Sequence, residues 1–158
     1  MTETQCLTAS TLQVGQTYGL SVCFTRAQVD TYCELTGDRN GIHRDPEAAR
    51  IRFPGIADVV VPGGLIQTTI SGVLGTRFPG DGALGLSFAP ERFRKPVCPG
   101  DRLEVGYEIV RIKGQIVEID VTVDDETGTR IGFAKAKVLA PDDAYRAWWE
   151  SQQAAPPA

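Results

Sequence analysis

A single histidine among 158 residues limits the chemistry open to this chain. It argues against a zinc site built on imidazoles, and the cysteines do not replace them: Cys6, Cys23, Cys33 and Cys98 are dispersed, with no C-x-x-C pair. They read as free, mostly packed thiols in a chain large enough to fold without cross-links. No metal is expected. A basic excess is also missing. Sixteen Lys and Arg stand against twenty Asp and Glu, a net charge of -4, which disfavours nucleic acid and anionic membrane surfaces as partners. Met1 to Ser10 lacks a basic start followed by an apolar core, so a cytoplasmic protein is expected. One uncharged run of 18 residues, Val59 to Thr76, raises a membrane span and then rejects it. Pro62, four glycines, Gln67, Thr68, Thr69 and Ser71 make it too polar and too broken for lipid.

What is present suits one soluble domain with a real core, since 42% of the chain is hydrophobic and 23% charged. That domain is expected over residues 8–140. Residues 141–158 form a tail: a short helix carrying Tyr145, Trp148 and Trp149, then a disordered end.

Thr25-Arg26-Ala27-Gln28 has the capping-box pattern and predicts a helix start after an extended segment at 17–24. Val29, Tyr32, Cys33 and Leu35 give that helix its apolar face, and Gly37 ends it. Asp45-Pro46 predicts a second start, with Asp as cap and Pro in the first turn. A third helix should open near Pro62, where Leu65, Ile66, Ile70, Val73 and Leu74 repeat at helical spacing and glycines let neighbouring strands approach closely. Strands are predicted at 83–95, 102–113, 115–124 and 129–139. Leu103, Val105, Tyr107 and Ile109 share one face, as do Val117, Ile119, Val121 and Val123. The fold class is therefore α+β, an antiparallel sheet with one buried side wrapped around a long central helix. A sheet of about five or six strands cannot cover that helix fully, so a homodimer is expected.

The histidine lies in Thr36-Gly37-Asp38-Arg39-Asn40-Gly41-Ile42-His43-Arg44-Asp45-Pro46, five positions after Asp38 and just past a helix end. An imidazole beside a carboxylate in a loop can supply the proton transfers that addition or elimination of water requires. Asn40 reads either as a functional residue or as a turn residue tolerant of left-handed backbone. Arg92, Arg94 and Lys95 read either as a solvated face or as attraction for a phosphate-bearing carrier.

These residues, with Phe24-Thr25, Val60-Val61-Pro62-Gly63-Gly64-Leu65 and Phe93-Arg94-Lys95-Pro96-Val97-Cys98-Pro99-Gly100-Asp101, resemble the MaoC-like hot-dog family that includes the (R)-specific enoyl-CoA hydratases. The blocks are in family order and cover roughly residues 15 to 140. The resemblance implies a hot-dog fold and a catalytic pair of Asp38 and His43 in a loop that Asn40 helps to hold. It also implies an oxyanion site at the backbone amides of Gly63 and Gly64, with Thr68 near the pocket position where some hydratases have serine. Such an enzyme acts on a 2-enoyl or 3-hydroxyacyl thioester of coenzyme A or an acyl carrier protein, and needs no metal or redox cofactor. Amides at a helix start are unpaired and partly positive, which suits a developing enolate.

The chain departs from the family pattern at Gly41, where proline is usual, and at Pro62, where many hydratases have histidine. The segment from Pro54 to Val60 looks longer than in short bacterial hydratases. Two other functions fit the sequence: a non-catalytic acyl-binding hot-dog subunit, and an enzyme of different chemistry on the same fold, such as a thioesterase, isomerase or cyclase.

Overall fold

The computed structural model describes residues 4–154, and its centre is a single antiparallel sheet curled around one helix. The strands are β1 (Thr17–Cys23), β2 (Leu84–Pro90), β3 (Arg102–Lys113), β4 (Ile116–Asp125) and β5 (Arg130–Leu139), ordered β1-β3-β4-β5-β2. The helices are α1 (Arg26–Thr36), α2 (Pro46–Arg52), α3 (Gly63–Thr76) and α4 (Asp143–Gln153).

Alternating side chains give the sheet its dry face. Val105 pairs with Val123, Tyr107 with Val121 and Ile109 with Ile119, and all six are buried. Against them α3 presents Ile66, Ile70, Val73 and Leu74, also buried. The polar atom of Tyr107 on that face is matched: its hydroxyl donates to the Ile70 carbonyl at 3.3 Å, and burial pushes its pKa well above the usual phenol range. No helix of the described residues is long and apolar enough to cross a membrane.

Local signals in the sequence act as expected at the helix ends. The capping box at Thr25 and Gln28 is formed, Gly37 ends α1 with a φ of 70°, and Asp45 caps α2 with Pro46 in its first turn. Three expectations need correction. Leu35 does not join the apolar face of α1 but is 83% exposed, because it falls outside the stripe of Val29 and Cys33. The strand expected over 83–95 stops at Pro90, after which only isolated bonds reach β5, from the N–H groups of Glu91 and Arg94 to the carbonyls of Phe133 and Ile131. The α3 glycines do not admit strands: Gly72 and Gly75 face open space, whereas Gly63 and Gly64 are approached by the side chains of Phe93 and Tyr32. In the tail, α4 runs to Gln153, and the disorder expected at the extreme end falls at 155–158, outside the described residues.

Candidate active site

A chain of short side-chain-to-backbone bonds shapes the loop between α1 and α2. Asp38 Oδ1 accepts the Asn40 N–H at 2.9 Å, and Asn40 Oδ1 accepts that of Ile42 at 3.4 Å, capping a 3-10 turn over Gly41–His43. The Gly41 carbonyl then accepts from Arg44 and Asp45 at 3.0 and 2.8 Å. Gly41 has a negative φ, so this turn does not require glycine. The restraint that a proline would supply comes here from Asp38 and Asn40.

His43 is 12% exposed at its side chain, and its Nδ1 lies 2.7 Å from the Val60 carbonyl oxygen. A carbonyl only accepts, so that partner assigns the proton to Nδ1 and leaves the Nε2 lone pair of the neutral ring free. Nε2 faces Asp38 Oδ2 at 3.8 Å. That separation is too long for a direct hydrogen bond and suits one water molecule touching both atoms.

Val60 and Val61 lead into Pro62, the N-cap of α3, which has no side-chain cap bond. Leu65 and Ile66 donate to the Pro62 carbonyl, but the amides of Gly63 and Gly64 have no acceptor among the described residues. A cleft of about 220 Å³ brings His43 and Gly63 together, walled by Phe53, Val60, Ile66 and Phe93. Asp38 lines a neighbouring polar cleft of about 380 Å³ with Arg39, Arg44 and Cys33. Asp38 and His43 therefore stand where a polar and an apolar cleft meet.

Thr68 does not reach the His43 cleft. It is exposed, and its hydroxyl donates to Gly64 O at 2.8 Å within α3. Arg94 and Lys95 do line that cleft, and Arg92 does not. The ammonium of Lys95 is held by Asp125 Oδ2 at 2.5 Å, a bond that raises its pKa. The thiol of Cys33 is pushed up, first by burial and then by Asp38 and Asp30, which keeps it protonated and unsuited to nucleophilic attack.

Sequence reasoning missed the residues that hold the site from outside. Arg26 joins three segments: Nη1 meets Asp58 at 3.2 Å, Nη2 donates to the Arg44 carbonyl at 2.8 Å, and Nε meets Asp30 at 3.2 Å. Asp30 is an i,i+4 partner on the same helix, but no local pattern marks Arg44 and Asp58, which are 18 and 32 positions away. The carbonyl of Val60 is equally invisible, since any residue would supply it.

Residues 9–130 match the model of the MaoC like domain. Among characterised proteins, a 3-hydroxybutyryl-CoA dehydratase of Methylorubrum extorquens is 42% identical over 103 residues, covering 64% of this chain and 62% of that protein. The chain thus spans a little under two thirds of that relative. An (R)-specific enoyl-CoA hydratase of Aeromonas caviae is 33% identical over 108 residues, 68% of this chain and 78% of that one. Among solved structures, an unliganded R-hydratase from Pseudomonas aeruginosa superposes with a TM-score of 0.80 at 26% identity over 89% of both chains. With the curled sheet, the central helix and a domain match over most of its length, this chain belongs to the MaoC-like family and has its hot-dog fold.

Proposed function

We propose that the chain is a hydratase or dehydratase of acyl thioesters, adding water to a 2-enoyl thioester or removing it from a 3-hydroxyacyl thioester. The carrier is coenzyme A or an acyl carrier protein, and the (R) stereochemistry named for the Aeromonas caviae relative is carried over with the activity. The observation that carries this reading is the 3.8 Å gap between Asp38 Oδ2 and a His43 Nε2 whose lone pair is free, beside a helix start with unpaired amides.

In the hydration direction a water molecule bridges the carboxylate and the imidazole. As its oxygen attacks C3, one proton passes to the pair and the electron pair of the double bond moves through C2 onto the thioester oxygen. The amides of Gly63 and Gly64 receive that negative charge. A proton then returns from the pair to C2, so the enzyme ends as it began. One oriented amide is worth about 3 kcal/mol to such a transition state, and the acid–base pair contributes about a hundredfold to ten-thousandfold in rate. Asn40 acts here by shaping the turn. Thr68 has no part in the reaction of a single chain.

The same reading makes the protein a homodimer. Strand β2 ends the sheet, and its Leu84 and Leu86 are 60% and 47% exposed, an apolar edge that a second copy would cover. Light scattering after size exclusion tests this directly, and a monomer at micromolar concentration overturns it.

Crotonyl-CoA is the test substrate. Loss of the conjugated thioester absorbance without release of free thiol is the expected result. Thiol release identifies a hydrolase instead, and silence in both channels leaves a binding subunit or an enzyme with an unusual substrate.

A further inference from the structure

Two adjacent glycines open α3, and neither has a positive φ, so backbone conformation does not explain them. Contact does. A β-carbon at position 64 would lie 2.1 Å from the Tyr32 hydroxyl oxygen and 3.1 Å from the ring carbon that bears it. A β-carbon at position 63 would lie 3.4 Å from two edge carbons of the Phe93 ring. The other edge of that ring is fixed from the sheet, because a β-carbon on Gly132 of β5 would come within 2.8 Å of it. Both aromatic side chains are half-buried. The first turn of α3 is thus gripped between α1 and β5 by two rings, each seated in a notch that a missing side chain provides.

We infer that Tyr32 and Phe93 are positioning residues of the reaction, holding the amides of Gly63 and Gly64 at a set distance from the Asp38 and His43 pair. The linkage has a physical route. Tyr32 lies on α1, the helix whose end delivers Asp38, so its contact with Gly64 fixes the spacing between the carboxylate and the oxyanion amides. Phe93 walls the cleft that contains His43 and Gly63, keeping water from the amide and so strengthening its bond to the developing charge. The inference rests on the hydratase reading, and it assigns Gly63 and Gly64 a second task besides presenting N–H groups.

The test is a pair of double-mutant cycles measured on crotonyl-CoA with melting temperatures recorded alongside. Gly64→Ala drives a methyl group into the Tyr32 hydroxyl and should lower kcat by about a hundredfold through displacement of the amides, with KM changed little. Tyr32→Phe removes the oxygen in the collision and should restore kcat of the Gly64→Ala protein by about tenfold or more, a non-additive result. Gly132→Ala acts from the sheet, away from any substrate atom. It should lower kcat by tilting Phe93, and Phe93→Leu should relieve that loss. This second cycle remains decisive if Gly64→Ala does not fold. Additive losses in an active enzyme, or losses matched by melting temperature, overturn the inference alone. A wild-type protein silent on crotonyl-CoA and on longer 2-enoyl-CoA thioesters removes the hydratase reading and the inference together.

Discussion

The imidazole of His43 and the carbonyl of Val60 are 2.7 Å apart, and the Val60 N–H returns a bond of 2.9 Å to the carbonyl of Ile42. The loop that carries His43 is thereby stitched through both backbone groups of Val60 to the segment that runs directly into α3. His43 and the amide of Gly63 share one cleft because these two stretches pair, although the two residues are 20 positions apart in the chain.

Removal of the Asp38 carboxylate or the His43 imidazole should lower turnover sharply without unfolding the protein. His43→Ala and Asp38→Asn are each expected to lower kcat by about a hundredfold or more. Asp38→Asn is the sharper variant, because an amide oxygen still accepts the Asn40 N–H and preserves the turn while the charge is lost. Thermal melts beside the kinetic assay check it. A melting point that falls in step with activity would make the pair structural.

Replacing Gly41 with proline should stabilise the protein. Asn40 has φ -63° and ψ 124°, the conformation that precedes proline most readily, and the Gly41 N–H has no acceptor among the described residues. A β-carbon there meets only Ala48, at 3.4 Å. The gain expected from a stiffer unfolded chain is about 0.4–1 kcal/mol, or about 1–4 °C in melting temperature, with kcat retained or raised. Destabilisation would mean that the turn needs the freedom of glycine.

How far the sequence could be read depended on how local each signal was. Thr25, Gly37 and Asp45 act within four residues of themselves, so the ends of α1 and the start of α2 were legible, and period-two alternation exposed β3 and β4. Asp38 and His43 could be singled out because they share one loop. The grip on that loop could not. Arg26, Tyr32, the Val60 carbonyl and Gly132 act across the fold through partners that no spacing rule connects. Thr68 illustrates the converse: the family resemblance placed it near a pocket position, yet its hydroxyl is turned back onto its own helix.

Asp125 should make stability depend on pH in acid. Lys95 holds its carboxylate well below the usual range, with the Thr127 hydroxyl and the amides of Thr127 and Thr129 adding to the effect. A depressed folded-state pKa means that the contribution is full above the unfolded value, near pH 4, and is lost as pH falls toward the folded one. Asp125→Asn should therefore lower the melting temperature by a constant amount from neutral pH down to about pH 5, with the gap to wild type closing below about pH 4. Because Lys95 lines the His43 cleft, KM should rise in the same variant. A melting gap independent of pH down to pH 2 would contradict the assignment.

Arg26 separates stability from catalysis most clearly. Its ion pairs with Asp30 and Asp58 are more than a third exposed, so their loss should remove no more than about 1 kcal/mol, or about 2–4 °C of melting temperature. Its bond to the Arg44 carbonyl has a larger consequence for function, since Arg44 follows His43 and Asp58 precedes the Val59-Val60 segment that holds the imidazole. Freeing both ends lets His43 drift against Asp38, and a displacement approaching 1 Å is enough to reduce rate by about a hundredfold. Arg26→Ala should thus lose about tenfold or more in kcat with little change in melting temperature. Arg26→Lys should recover little of it, because an ammonium cannot reach Asp58 and the Arg44 carbonyl with the geometry of a planar fork. Full activity in either variant would show that the turn bonds of Asp38 and Asn40 alone suffice to hold the pair.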